Sequence, residues 1–131
     1  MSALYLDSSA FVKLIVAEAE TIAVRAFVGG HVDRRVSSAL LRTEAIRAVR
    51  HLGPDARGTT REALRRVDLV ALDDRILDAA GILEPAVLRT LDAIHLATAM
   101  SIGDDLTAIV TYDTRMIEAA RSLGLPTISP N

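Results

Sequence analysis

The chain has 131 residues, 50% of them hydrophobic and only 3% aromatic, with no cysteine and a formal net charge of -2. That length predicts a single domain over residues 1–131, able to bury roughly 65–70% of its unfolded surface around a core of Leu, Val, Ile and Ala. The composition excludes disulfides, thiol nucleophiles and cysteine-based zinc sites. The near-neutral charge gives no bulk pull toward nucleic acid, and the longest run free of Asp, Glu, Lys and Arg, residues 93–103, is too short for a bilayer span. No basic, then apolar leader opens the chain, so the expected setting is cytoplasmic, away from membranes.

In chain order, residues 3–7 read as a short apolar strand ending in an acid, Asp7. Ser8 and Ser9 open a helix over about 10–18 with Phe11, Leu14 and Ile15 on one face, and a second helix spans about 20–28 before Gly29-Gly30. Residues 35–38 form a strand. A helix over about 39–52 follows, with Leu41, Ala45, Ala48 and Leu52 along its apolar face, Glu44 at the edge of that face, and Gly53-Pro54 at its end. Residues 55–66 are helical, 68–72 are a third strand, and Asp73-Asp74 begin a helix over about 75–83 that Glu84-Pro85 interrupts. The next helix carries residues 90–100, with Leu91, Ile94, Leu96, Ala97, Ala99 and Met100 at helical spacing. Within it Asp92 shares a face with Leu96 and Ala99. Residues 106–111 are the clearest strand; Asp113 opens a helix to about Leu123, Gly124 caps it, and 126–130 is a last short strand.

Strands alternate with helices from end to end, which predicts an α/β layer fold with a mainly parallel sheet. In such sheets ligands bind beyond the carboxyl ends of the strands. Asp7 and Asp113 stand there, and Glu44 and Asp92 lie on apolar helix faces that must turn toward the sheet. Each acid has a structural reading beside the functional one. Asp7 and Asp113 stand where helix N-caps stand, Asp92 can complement the dipole of a helix capped by Thr90, and Glu44 can pair with Arg47. Taken together, carboxylates at two strand ends and on two inward faces would repel one another without a cation. Hard oxygen ligands without a His-Cys set suit magnesium or manganese rather than zinc. His95, one turn from Asp92, reads as a packing or hydrogen-bonding residue, and Thr111 as a plain strand residue or as one that orients an acid or a water.

The blocks Leu6-Asp-Ser-Ser-Ala-Phe-Val-Lys-Leu14, Ser37-Ser38 with Glu44, Asp92-Ala-Ile-His-Leu-Ala-Thr-Ala99, Val110-Thr-Tyr-Asp113 and Gly124-Leu125 together resemble the PIN-domain ribonucleases, and among them the VapC-type toxins of bacterial toxin–antitoxin pairs. The resemblance runs the length of the chain. It implies a three-layer α/β/α fold around a five-stranded, mainly parallel sheet. It also implies one or two Mg²⁺ or Mn²⁺ held by Asp7, Glu44, Asp92 and Asp113 as the catalytic acids, and RNA cleavage by an activated water to 5′-phosphate and 3′-hydroxyl ends. An antitoxin that blocks the site is implied too, and often a homodimer. Asp113 is the only acid in the block 110–114, which leaves the number of ions open. Ser8 and Thr111 are expected to support the site, and Arg115, Arg89, Arg42 and Arg47 to meet the RNA. The rival readings are a receiver-like signalling domain, which lacks a paired acid beside Asp7, and a non-catalytic interaction domain. An Asp-x-Asp phosphatase fails because Ser9 holds the second position.

Overall fold

In a computed structural model covering residues 1–131, five strands form one sheet in the order β3-β2-β1-β4-β5. The strands are β1 (Ala3–Leu6), β2 (Arg34–Ser38), β3 (Asp68–Val70), β4 (Leu106–Val110) and β5 (Thr127–Ile128), and every neighbouring pair is parallel. Parallel neighbours need crossovers, and the helices supply them. They are α1 (Ser8–Ile15), α2 (Thr21–Gly29), α3 (Leu41–Val49), α4 (Pro54–Leu64), α5 (Asp74–Gly81), α6 (Thr90–Ser101) and α7 (Thr114–Ser122).

The period-two alternation of strand side chains divides the core in two. Leu4 and Leu6 of β1, with Ala108 and Val110 of β4, face α1, α2 and α3 through Phe11, Val24, Val28, Leu41 and Ala45, with Ala63 and Leu64 of α4 packed against the same cluster. Ala3 and Tyr5, with Val36 and Ile109, face the opposite side, where Leu96 and Ala99 of α6 and Met116, Ala119 and Ala120 of α7 pack on them. A third cluster, Ile76 and Ala80 of α5 against Ala93, Ile94 and Ala97, covers the back of α6. Helix α6 is therefore wrapped on most sides: every residue from Asp92 to Ala99 is buried. Only its ends reach solvent, so Leu91 and Met100, expected on its apolar face, are exposed.

Local chemistry sets the ends of these elements. The helix expected to reach residue 18 stops at Ile15, because Val16 turns extended and Thr21 ties the turn: its hydroxyl donates to the Val16 carbonyl at 3.1 Å and accepts from the Glu18 amide at 2.8 Å. Helix α3 begins at Leu41, two residues later than expected, and passes into a 3-10 turn over Arg50–Leu52 before Gly53, whose φ of 96° is a left-handed conformation that glycine takes without strain. Pro54 then starts α4 at the one position where its missing N–H is no loss.

Candidate active site

The strand order reverses between β1 and β4: α1 and α2 carry the chain from β1 toward β2 and β3, whereas α7 carries it from β4 to β5 on the other side. At such a switch point the loops diverge and leave a crevice at the carboxyl ends. Asp7 follows β1 and Thr111 follows β4, side by side on that crevice. The Asp7 carboxylate caps α1, with Oδ1 accepting from the Ala10 amide at 3.0 Å and from the Ser9 hydroxyl at 2.7 Å. Its Oδ2 accepts from the Thr111 hydroxyl. Asp7 is thus a helix cap that also reaches across to the residue after β4. Burial pushes its carboxyl above the usual carboxylate range, against the pull of the hydrogen bonds from Thr111, Ser9 and Ala10.

The expected supporting serine was Ser8, but Ser9 does that work. Ser9 donates to Asp7 and accepts from the Tyr112 amide at 2.9 Å, so it links the β1 loop to the β4 loop. Ser8 makes no such bond and lines an open cleft with Glu44 and Asp113. The missed signal was a local one: an Asp at an N-cap commonly folds back on groups two and three residues ahead. Thr111 also accepts from the Asp113 amide at 3.1 Å, so one hydroxyl connects both strand-end acids. Asp113 caps α7, its Oδ1 accepting from the Arg115 amide at 2.9 Å.

Glu44 lies in the first turn of α3, not in mid-helix, because the helix starts late. Its partner is not Arg47. Glu44 Oε1 meets His95 Nε2 at 2.6 Å, and His95 Nδ1 meets the Tyr5 hydroxyl at 2.6 Å. His95 is buried, and so is Tyr5, whose phenol burial pushes far above its ordinary range; the nearby Asp7 and Glu44 carboxylates push it the same way. Both ring nitrogens are thus engaged, Nε2 with Glu44 and Nδ1 with Tyr5. His95 packs edge-on against Tyr5 and holds Glu44.

Asp92 is buried, and it is neither a cap nor the partner of one: Arg89, not Thr90, is the N-cap residue of α6 and makes no side-chain cap bond. The Arg89 side chain instead bridges two acids. Its Nε donates to Asp92 Oδ2 at 2.9 Å and its Nη2 to Asp113 Oδ2 at 2.9 Å. Neighbouring nitrogens of one planar fork thus bring the two carboxylates side by side, and the Arg89 guanidinium is held above its ordinary pKa, chiefly by Asp92.

Of the acids expected to meet, Asp7, Asp113 and Asp92 are linked through Thr111 and Arg89, while Glu44 is bonded to His95 and shares a cleft with Asp113. They are not closed into a cage: no group of three or more His, Asp or Glu side chains converges on one point as the side chains stand. The donor set is all carboxylate oxygen, the chemistry of a hard divalent ion, and magnesium is commonly held by one or two carboxylates with water completing its shell. The Asp92–Asp113 pair meets that need. The arginines expected near RNA divide. Arg89 and Arg115 border a cavity of about 800 Å³ between the 84–89 segment and α7. Arg42 points to a separate cavity of about 420 Å³ with Arg61 and Arg65, and Arg47 is exposed with no bond to Glu44. Lys13 lines the cleft with Glu44 and Asp113 but is bound by Glu18 at 2.9 Å and Glu20 at 2.8 Å, so it lacks the pairing with one of the four acids that a receiver-like reading would want.

Known proteins bear on the family and the fold. The family model of the PIN domain matches residues 4–122. The chain is 52% identical over 131 residues to Ribonuclease VapC46 of Mycobacterium tuberculosis, covering all of both chains. It is 40% identical over 130 residues to Ribonuclease VapC35 of the same organism, covering 97% of this chain and 96% of that one. Among solved structures, M. tuberculosis VapC20, a Sarcin-Ricin loop cleaving toxin, superposes with a TM-score of 0.77 at 15% identity, covering 97% of this chain and 99% of that one. A toxin–antitoxin complex from Klebsiella pneumoniae superposes with a TM-score of 0.74 at 20% identity, covering 99% and 98%. At those identities the superpositions speak for the fold alone, and the five-stranded parallel sheet agrees with it. By family model and by full-length relatives, the chain belongs to the PIN-domain family and, within it, to the VapC ribonucleases.

Proposed function

We propose that this protein is a divalent-metal-dependent endoribonuclease, the toxin of a toxin–antitoxin pair. The observation that supports the reading is the linkage of Asp7, Asp113 and Asp92 through Thr111 and Arg89 at the switch point between β1 and β4, with Glu44 lining the same cleft as Asp113. Asp92 and Asp113 would hold Mg²⁺ or Mn²⁺ with Asp7 and Glu44 beside them, and the ion would supply an activated water and neutralise charge on the phosphate in flight.

The chain's own residues do the rest. Asp7, buried beside the cleft residue Ser9, is held by three donors. Glu44 keeps Oε2 free, since His95 takes Oε1. Ser8, Glu44 and Asp113 line the open cleft along which a single strand would run, and Arg115, in the neighbouring cavity with Arg89, would meet a phosphate beyond it. Attack by water leaves no need for a covalent nucleophile. An antitoxin that covers the cleft, a homodimer and a cytoplasmic setting complete the reading; no helix is long and apolar enough to cross a membrane.

The test is incubation of the purified protein, freed of any partner, with total RNA in the presence and absence of Mg²⁺, with the new 5′ ends mapped. Cleavage at discrete sites that needs the ion and vanishes in D7N, with circular dichroism unchanged, is the expected result. Full cleavage by D7N would remove the mechanism.

A further inference from the structure

Asp92 is a buried carboxylate whose only hydrogen-bond donor is Arg89, and Asp113 Oδ2 is bonded to the same guanidinium. A buried charge left without a partner is strongly destabilising, so something cationic must stand there at all times. Arg89 belongs to the chain itself, and its side chain is about half exposed, with open space beside it toward the cavity it shares with Arg115. It can leave without unpacking the core.

We propose that Arg89 is the resident cation of the acidic site: its guanidinium and the divalent ion compete for the same two oxygens, Asp92 Oδ2 and Asp113 Oδ2, so that metal binding releases the Arg89 side chain and Arg89 sets the metal affinity. This rests on the nuclease reading above and adds a residue that tunes it. Each oxygen gives up one charge-assisted bond of 2.9 Å when the ion takes it, and an ion that takes both displaces the guanidinium from two. The protein therefore keeps its acids together when metal is scarce, and binds metal more weakly than the bare carboxylate pair would.

The experiment is calorimetric titration of Mn²⁺ into the full-length metal-free protein, its R89Q variant and R115Q, with melting temperatures of each in EDTA and in Mn²⁺. R115Q removes a neighbouring positive charge whose side chain touches neither acid, so it reports the effect of charge alone. The expected result is Mn²⁺ binding at least about tenfold tighter in R89Q than in R115Q, from loss of the competing charge-assisted bonds. R89Q should also melt lower in EDTA and gain more from Mn²⁺ than the parent. R89K keeps the charge and gives up the fork, so it should bind Mn²⁺ more tightly than the parent and less tightly than R89Q; the comparison with the parent stands even where R89Q does not fold without metal. Parent, R89Q and R115Q binding Mn²⁺ alike would overturn the competition and leave the nuclease reading intact. No Mn²⁺ binding by any of them would overturn both.

Discussion

At the residue scale, the acids are set apart by what each is bonded to. Asp7 sits among donors from its own helix and from the neighbouring strand, Glu44 is held by an imidazole, and Asp92 and Asp113 share one guanidinium. The Asp7 carboxyl is raised mainly by burial, which has a consequence for stability. A carboxyl whose folded pKa lies above its unfolded value of about 3.9 binds more protons folded than unfolded between the two, so folding weakens as pH rises through that window. In EDTA, melting curves from acid to neutral pH should show the parent losing stability relative to D7N as pH rises. A difference that stays flat, or grows in the parent's favour, would show that Asp7 does not carry this strain. Giving up stability to hold a site acid in place is a common trade between stability and activity.

At the element scale, the burden falls on α6. It carries Asp92 and His95, and Arg89 stands at its N-terminal end, while Leu96 and Ala99 pack on the sheet and Ala93, Ile94 and Ala97 pack on α5. Leu96 is completely buried. L96A should lower unfolding stability in urea by about 2–5 kcal/mol, from lost transfer free energy plus the cavity left behind. RNA cleavage at low temperature should survive in the folded fraction, since Leu96 faces the sheet and not the cleft. The element boundaries show where local reading reached its limit. The Thr21 bonds that stop α1 and the late start of α3 arise from contacts that periodicity does not record, and the late start changes Glu44 from a mid-helix residue to one beside the strand ends.

At the scale of the whole molecule, the site and the core are separate. The two main apolar clusters lie above and below the sheet, while the acids stand at its carboxyl edge and are cross-linked by their own hydrogen bonds. Chelation should therefore stop cleavage without unfolding the protein: far-UV circular dichroism in EDTA should match that in Mg²⁺, and activity should return when the ion is restored. Loss of helical signal on chelation would mean that the ion is a structural element, and that Arg89 does not suffice as counter-charge.

The sequence by itself determined the alternation of strands and helices and, with it, the places of Asp7 and Asp113. In a parallel sheet every strand points the same way, so an acid just past a strand lands on the ligand-binding edge whatever the strand order. It also placed Asp92 on a buried face, because helical periodicity is a local property. Which groups meet at that edge was decided only by the tertiary structure. Glu44 and His95 are 51 residues apart, Arg89 and Asp113 are 24, and Thr111 lies 104 from Asp7. Those pairings depend on β1 lying between β2 and β4, a strand order set by packing on both faces of the sheet at once and by no local run of residues.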